Sequence, residues 1–221
     1  YNDIEHLTEL VKSNSIGVIK MEVYRNIEPQ DNFLQNVREL ASKNGIVLIF
    51  DECTSGFREC FGGLHSKYAV EPDLAVYGKT LGNGYAISAV VGNKDVMEHA
   101  QSTFISSTFW TERIGSAAGL KALEVMEAER PWEHAKLMGN YMRSIWKNLS
   151  QKYDLDISVF GLPAISSFTF NSPQSLGYKT LITQQALKKD FLGGTLFYAS
   201  KAHSEDLIDA YRVVLDDTFK L

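Results

Sequence analysis

The 221-residue chain is poor in cysteine, with Cys53 and Cys60 alone, and has five prolines. Two thiols cannot make a disulfide scaffold, so the fold has to rest on a core, and the expected setting is the reducing cytoplasm. Long apolar runs are missing too. Stretches such as residues 46–50 fall far short of the roughly 20 residues that cross a bilayer, and the N-terminal residues do not read as a signal segment. Basic clusters are also lacking. With 22 Lys and Arg against 27 Asp and Glu, the formal charge is -5, which argues against nucleic acid or an anionic membrane as a partner. What the chain does have is 44% hydrophobic residues, enough to build a sizeable core and too many for disorder.

Strand-like and helix-like segments alternate through the first two thirds, the pattern of an α/β domain with a mainly parallel sheet. Residues 16–23 (IGVIKMEV) and 46–50 (IVLIF) read as buried strands, and the second ends in Asp51 and Glu52. Between them, Phe33, Leu34, Val37, Leu40 and Ala41 recur at a helical period, and Gly45 stands where a C-cap glycine is expected. Residues 74–77 and 87–91 are further strands, joined by the glycine-rich turn 78–84. Residues 1–15 read as a lead-in to the first strand. Residues 111–129 predict a long helix with Ile114, Ala118, Leu120, Leu123 and Val125 on its apolar side. Pro131 suits the first turn of the next helix. The remainder predicts an α+β unit, with strands at 156–160, 165–170 and 195–199 and a last helix N-capped by Ser204. The expected division is 1–130 and 131–221.

The chemically informative pair is Asp51, at the end of an apolar strand, and Lys79, in the glycine-rich turn after another strand. In open parallel sheets the C-terminal strand ends converge on the ligand crevice, so both groups are expected at one pocket. A lysine in such a turn suits nucleophilic Schiff-base chemistry, and a strand-end acid is the partner a protonated pyridine nitrogen needs. A buried ion pair, or two unrelated loop charges, remain the plain alternatives. Glu52 is expected to point to the opposite side in a structural role. His65 and His203 lack metal-ligand spacing, and no metal site is expected. Arg58 and Arg113 suit either carboxylate binding or loop anchoring. Phe104, Phe109 and Trp110 surround Thr108 as core or subunit contact, with substrate gating as the alternative. The 78–84 turn lacks the upstream glycine of a P-loop.

The strings Leu48-Ile49-Phe50-Asp51-Glu52-Cys53-Thr54-Ser55-Gly56-Phe57-Arg58, Pro72-Asp73-Leu74 and Gly78-Lys79-Thr80-Leu81-Gly82-Asn83-Gly84-Tyr85 resemble the class III (omega-type) aminotransferases. Those are pyridoxal-phosphate enzymes of fold type I, and the resemblance is strongest to the glutamate-1-semialdehyde aminomutase branch. Glu22, Gly62-Gly63, Ser107-Thr108 and the segment Ser200 to His203 fall in family order. The resemblance implies that Lys79 is the catalytic Schiff-base lysine and later the proton-moving base, and that Asp51 keeps the pyridine nitrogen protonated. It also implies that Cys53 packs on the cofactor ring and that Thr108 reaches the cofactor phosphate of a partner subunit, so that a homodimer acts on a small amino or keto compound.

The chain also departs from the family. The phosphate cup and ring-stacking aromatic that the family places ahead of this region are not found upstream of Glu22, so the chain resembles the second half of the large domain plus the C-terminal small domain. Loss of those elements is expected to weaken cofactor binding and leave the isolated chain inactive. Trp110 to Arg113 replace a Ser-Gly-Asn-Pro-like turn, and Val23 replaces a proline. The alternative reading is a non-catalytic fragment or remnant acting through dimer contacts. A weaker one is a phosphate-binding α/β enzyme without the pyridine cofactor.

Overall fold

The computed structural model describes residues 1–109 and 111–221, which divide into two compact units, Tyr1–Arg130 and Pro131–Leu221. Trp110 lies outside the described residues. In the first unit, α1 (Ile4–Ser13) opens with Asp3, whose carboxylate accepts the His6 amide at 2.9 Å. This helix corrects the expected lead-in to a strand. Its signal was a cap acid followed by apolar residues too widely spaced to alternate. Tyr1 ties it down, donating to the Val23 carbonyl and packing its ring 4.8 Å from that of Phe33.

β1 (Val18–Met21), α2 (Phe33–Lys43) and β2 (Val47–Asp51) form a parallel crossover, with Val18 opposite Val47 and Met21 opposite Phe50. α2 buries Phe33, Leu34, Val37 and Ala41. Gly45, with φ at +63°, turns the chain into β2. β3 (Leu74–Tyr77) lies parallel to β2, with Asp51 opposite Val76. Asp73 fixes that register: Oδ2 accepts the Leu48 backbone amide at 2.7 Å and the Arg38 guanidinium at 2.8 Å, and Oδ1 accepts the Asn93 side-chain amide at 3.0 Å. β4 (Ala89–Gly92) pairs antiparallel with β3, because residues 78–88 contain no helix long enough for a crossover. The sheet order is β1-β2-β3-β4.

α3 (Lys94–Glu98) and α4 (Ile114–Glu129) follow. The buried stripe of α4 is Gly115, Gly119 and Met126, while Ile114, Leu120 and Val125 are exposed. That corrects the expected apolar side. A Cβ at Gly115 would stand 2.6 Å from the Ala86 carbonyl oxygen, so the helix packs through its glycines, where backbone approaches backbone.

The second unit holds α5 (Pro131–Lys152), β5 (Ile157–Leu162), β6 (Ile165–Phe170), α6 (Ser175–Leu187), β7 (Leu196–Tyr198) and α7 (Glu205–Phe219). Its strands form an antiparallel sheet in the order β5-β6-β7. Ser204 caps α7 by accepting the Leu207 amide at 3.3 Å. Trp146 and Phe168, with ring centroids 4.8 Å apart, centre a core with Met138, Met142, Ile208 and Leu215. Each such buried side chain contributes about 1.5–3 kcal/mol by leaving water.

Candidate active site

β2 ends at Asp51 because its apolar alternation ends there, and the acid stands at the C-terminal end of two parallel strands. Its Oδ1 accepts the Cys53 amide at 3.1 Å, closing a short turn, and its Oδ2 pairs with Lys20 Nζ at 2.9 Å. The Lys20 ammonium, helped by the Cys53 donors against partial burial, holds the Asp51 carboxyl below the usual range. Asp51 raises Lys20 in return. Partial burial and the Asp51 charge push the Cys53 thiol up, and the Lys79 and Lys20 cations pull it down. The thiol therefore feels all three charges.

Lys79 opens a 3-10 turn, Lys79–Leu81, directly after Gly78. Its φ of +44° is left-handed, unusual for a lysine, and such strain survives where the surroundings over-determine it. Here the Gly82 and Asn83 amides both donate to the Lys79 carbonyl, at 3.2 and 3.1 Å. A Cβ at Gly78 would lie 3.4 Å from Cys53 Sγ, so the two strand-end turns meet in van der Waals contact. The ε-amine of Lys79 donates to Thr54 Oγ1 at 3.0 Å. On the following residue, the Thr80 hydroxyl is buried without a hydrogen-bond partner among the described residues, the kind of orphan that a bound group or water satisfies.

The other side of the sheet is built differently. Glu52 is fully buried and accepts the His65 amide at 2.9 Å, the His65 Nδ1 at 3.0 Å and the Ser55 hydroxyl. Burial pushes its carboxyl up, but these donors outweigh that and leave it below the usual value. Burial raises the Tyr77 phenol on this side to about 12. A cleft of about 560 Å³ lined by Arg38, His65, Asp73 and Tyr77 opens here. Since Ala75 and Tyr77 alternate with Val76, the partner of Asp51, that cleft lies away from the Asp51 carboxylate.

Asp51, Cys53 and Lys79 thus come together, joined by Lys20 and Thr54, which sequence reasoning did not single out. The signal for Lys20 was a charge inside the apolar run 16–23. Thr54 had none beyond its nearness to Asp51. Thr108 lies in an exposed turn before α4, beside Phe104 and Phe109, which are 96% and 74% exposed. The expected aromatic cluster is therefore not core at these two positions. Arg113 is exposed ahead of α4, and Glu22 pairs with Arg25 at 3.5 Å. His203 Nδ1 is bonded to Ser200.

Pyridoxal phosphate needs a primary amine for its aldehyde and an anion for its ring nitrogen. Lys79 and Asp51, set about the Cys53 thiol, would offer both, so the residues present fit this group.

Residues 26–193 match the family model described as Aminotransferase class-III. The chain is 32% identical over 193 residues to the 3-aminobutyryl-CoA aminotransferase of Cloacimonas acidaminovorans, covering 83% of this chain and 47% of that protein. It is 33% identical over 207 residues to the glutamate-1-semialdehyde 2,1-aminomutase of Methanococcoides burtonii, covering 90% and 48%. The chain spans about half the length of the curated relatives it matches. Among solved structures, the PLP internal aldimine form of the Sphingopyxis sp. MTA144 FumI protein superposes with a TM-score of 0.93 at 23% identity, covering 99% of this chain and 55% of that one. An omega-transaminase from Sphaerobacter thermophilus superposes at 0.88 and 21% identity, covering 100% and 56%. The fold is that of the matching half of these proteins, and the chain belongs to the class III aminotransferase family.

Proposed function

We propose that this chain carries the lysine and the acid of a pyridoxal-phosphate-dependent aminotransferase, similar to glutamate-1-semialdehyde aminomutase, acting on a small amino or keto compound. What carries the reading is the convergence of Lys79, Cys53 and Asp51 at the C-terminal ends of β2 and β3. Lys79 would hold the cofactor aldehyde through its ε-amine. Once released from it, the same amine would move a proton to and from the substrate carbon. Thr54, bonded to that amine, would keep it oriented. Asp51 would hold the proton on the pyridine nitrogen, and Cys53 would pack against the ring. The bound cofactor supplies an electron sink for the carbon that loses its proton.

Residues 1–130 would form part of the large cofactor-binding domain and residues 131–221 the small C-terminal domain. Thr108 would reach the cofactor phosphate of a partner subunit in a homodimer. The exposed apolar residues Phe104, Ile105 and Phe109 around it support that reading, since such patches mark contact surfaces. Two free cysteines suit a reducing cytoplasm, and no described helix is long and apolar enough to cross a membrane.

The test is reduction with borohydride in the presence of pyridoxal phosphate, followed by peptide mass spectrometry. The expected result is a phosphopyridoxyl label concentrated on Lys79. Labelling spread evenly over the surface lysines would overturn the assignment.

A further inference from the structure

Lysine is a poor strand former, yet Lys20 lies within the four residues of β1. It is opposite Ile49, two residues before Asp51, so both side chains belong to one face of the sheet. Its ammonium meets Asp51 Oδ2 at 2.9 Å, with 58% of the lysine side chain and 26% of the aspartate exposed. A pair this open contributes little to stability. What it does fix is the acid: Lys20 takes Oδ2 and the Cys53 amide takes Oδ1. Among the described residues, the other charged or titratable groups acting here are the Cys53 thiol beside Asp51, the Lys79 cation that acts on that thiol, and Glu22 near Lys20.

We infer that Lys20 is a positioning residue for Asp51, its ammonium fixing the rotamer of the carboxylate and sharing its charge, so that a protonated heterocyclic nitrogen meets an acid already oriented and partly neutralised. A cation on the carboxylate lessens its pull on a second proton. Lys20 would therefore moderate how firmly Asp51 keeps the ring nitrogen protonated. That consequence rests on the role proposed above for Asp51, whereas the coupling of Lys20 to Asp51 does not.

The test is an NMR titration of Asp51 in the full chain, with carbon-13-labelled aspartate and no cofactor, in the parent, Lys20→Met and Lys20→Arg. The Asp51 midpoint is expected to move to higher pH in Lys20→Met and to return toward the parent in Lys20→Arg. The Cys53 amide proton, held by Oδ1, should shift in Lys20→Met as the carboxylate turns. Alkylation of Cys53 by iodoacetamide, read peptide by peptide, should slow in Lys20→Met because the thiolate loses a neighbouring cation. Lys20→Gln, which removes the charge and keeps a polar chain, gives the same readouts should the methionine perturb the strand. An unmoved Asp51 midpoint in the uncharged variants overturns the proposal, as does a shift that Lys20→Arg fails to reverse. Failed borohydride labelling at Lys79 would remove the function proposed above and leave the Lys20 titration result intact.

Discussion

Two consecutive carboxylates end β2 on opposite sides of the sheet. Asp51 keeps an open face and shares its charge with a lysine that is itself mostly in water. Glu52 has no solvent contact and is surrounded by donors from His65 and Ser55. A buried acid must have its oxygens satisfied from within, so Glu52 is committed to folding the loop from 52 to 65. An acid that meets a ligand has to remain approachable, and of the two Asp51 is the one that stays partly exposed, at 26% of its side chain. Adjacent residues with the same functional group are thus divided by the pleat between a sealed, architectural position and an approachable one.

The largest expected effect tests the chemical side. Lys79→Ala should abolish the selective phosphopyridoxyl label while leaving the urea denaturation midpoint within error, and a label of parent yield elsewhere in the turn would break the contrast. On the structural side, Glu52→Ala strands the His65 and Ser55 donors. It should cost about 3 kcal/mol in urea unfolding, as does removal of one partner from a buried pair, whereas Asp51→Asn should leave unfolding nearly unchanged.

A pair of glycines sharpens the comparison at smaller amplitude. A Cβ at Gly63 would lie 2.3 Å from the His65 ring, so Gly63→Ala should displace the histidine from Glu52 and cost about 1–3 kcal/mol. A Cβ at Gly78 meets Cys53 Sγ at an ordinary 3.4 Å. Gly78→Ala should therefore fold normally and lower only the yield of Lys79 labelling.

The smallest effect is one of pH. Glu52 is held below its usual value in the folded state. Its stabilisation is then complete above the ordinary carboxylate range and is lost as pH falls through its folded value. The stability gap between the parent and Glu52→Ala should accordingly be constant near neutrality and close in acid. A gap that widened in acid would mean that Glu52 is buried in its protonated form.

Several features were readable before any coordinates. The strand at 74–77, the helix start at Pro131 and the Ser204 cap follow from local rules of periodicity and capping, and these act within a few residues. The helix at the N-terminus was missed because its decisive signal, the Asp3 cap, is one side chain to one amide. The apolar face of α4 was misjudged for the opposite reason. Counting large residues picks out Leu120 and Val125, but burial went to Gly115 and Gly119, and at Gly115 the neighbouring backbone comes too close for a side chain. Lys20 and Thr54 are remote from Lys79 along the chain and join its site only through strand pairing and turn geometry.

The amino-acid order was sufficient to specify the alternation of elements, the acid at the end of β2 and the lysine in its glycine turn, because these depend on neighbours along the chain. Which groups surround that acid, which of two adjacent carboxylates is sealed from water, and how Lys79 comes to stand by Thr54 required the packed molecule. Such relations arise from register and burial between segments far apart in sequence, and no local pattern encodes them.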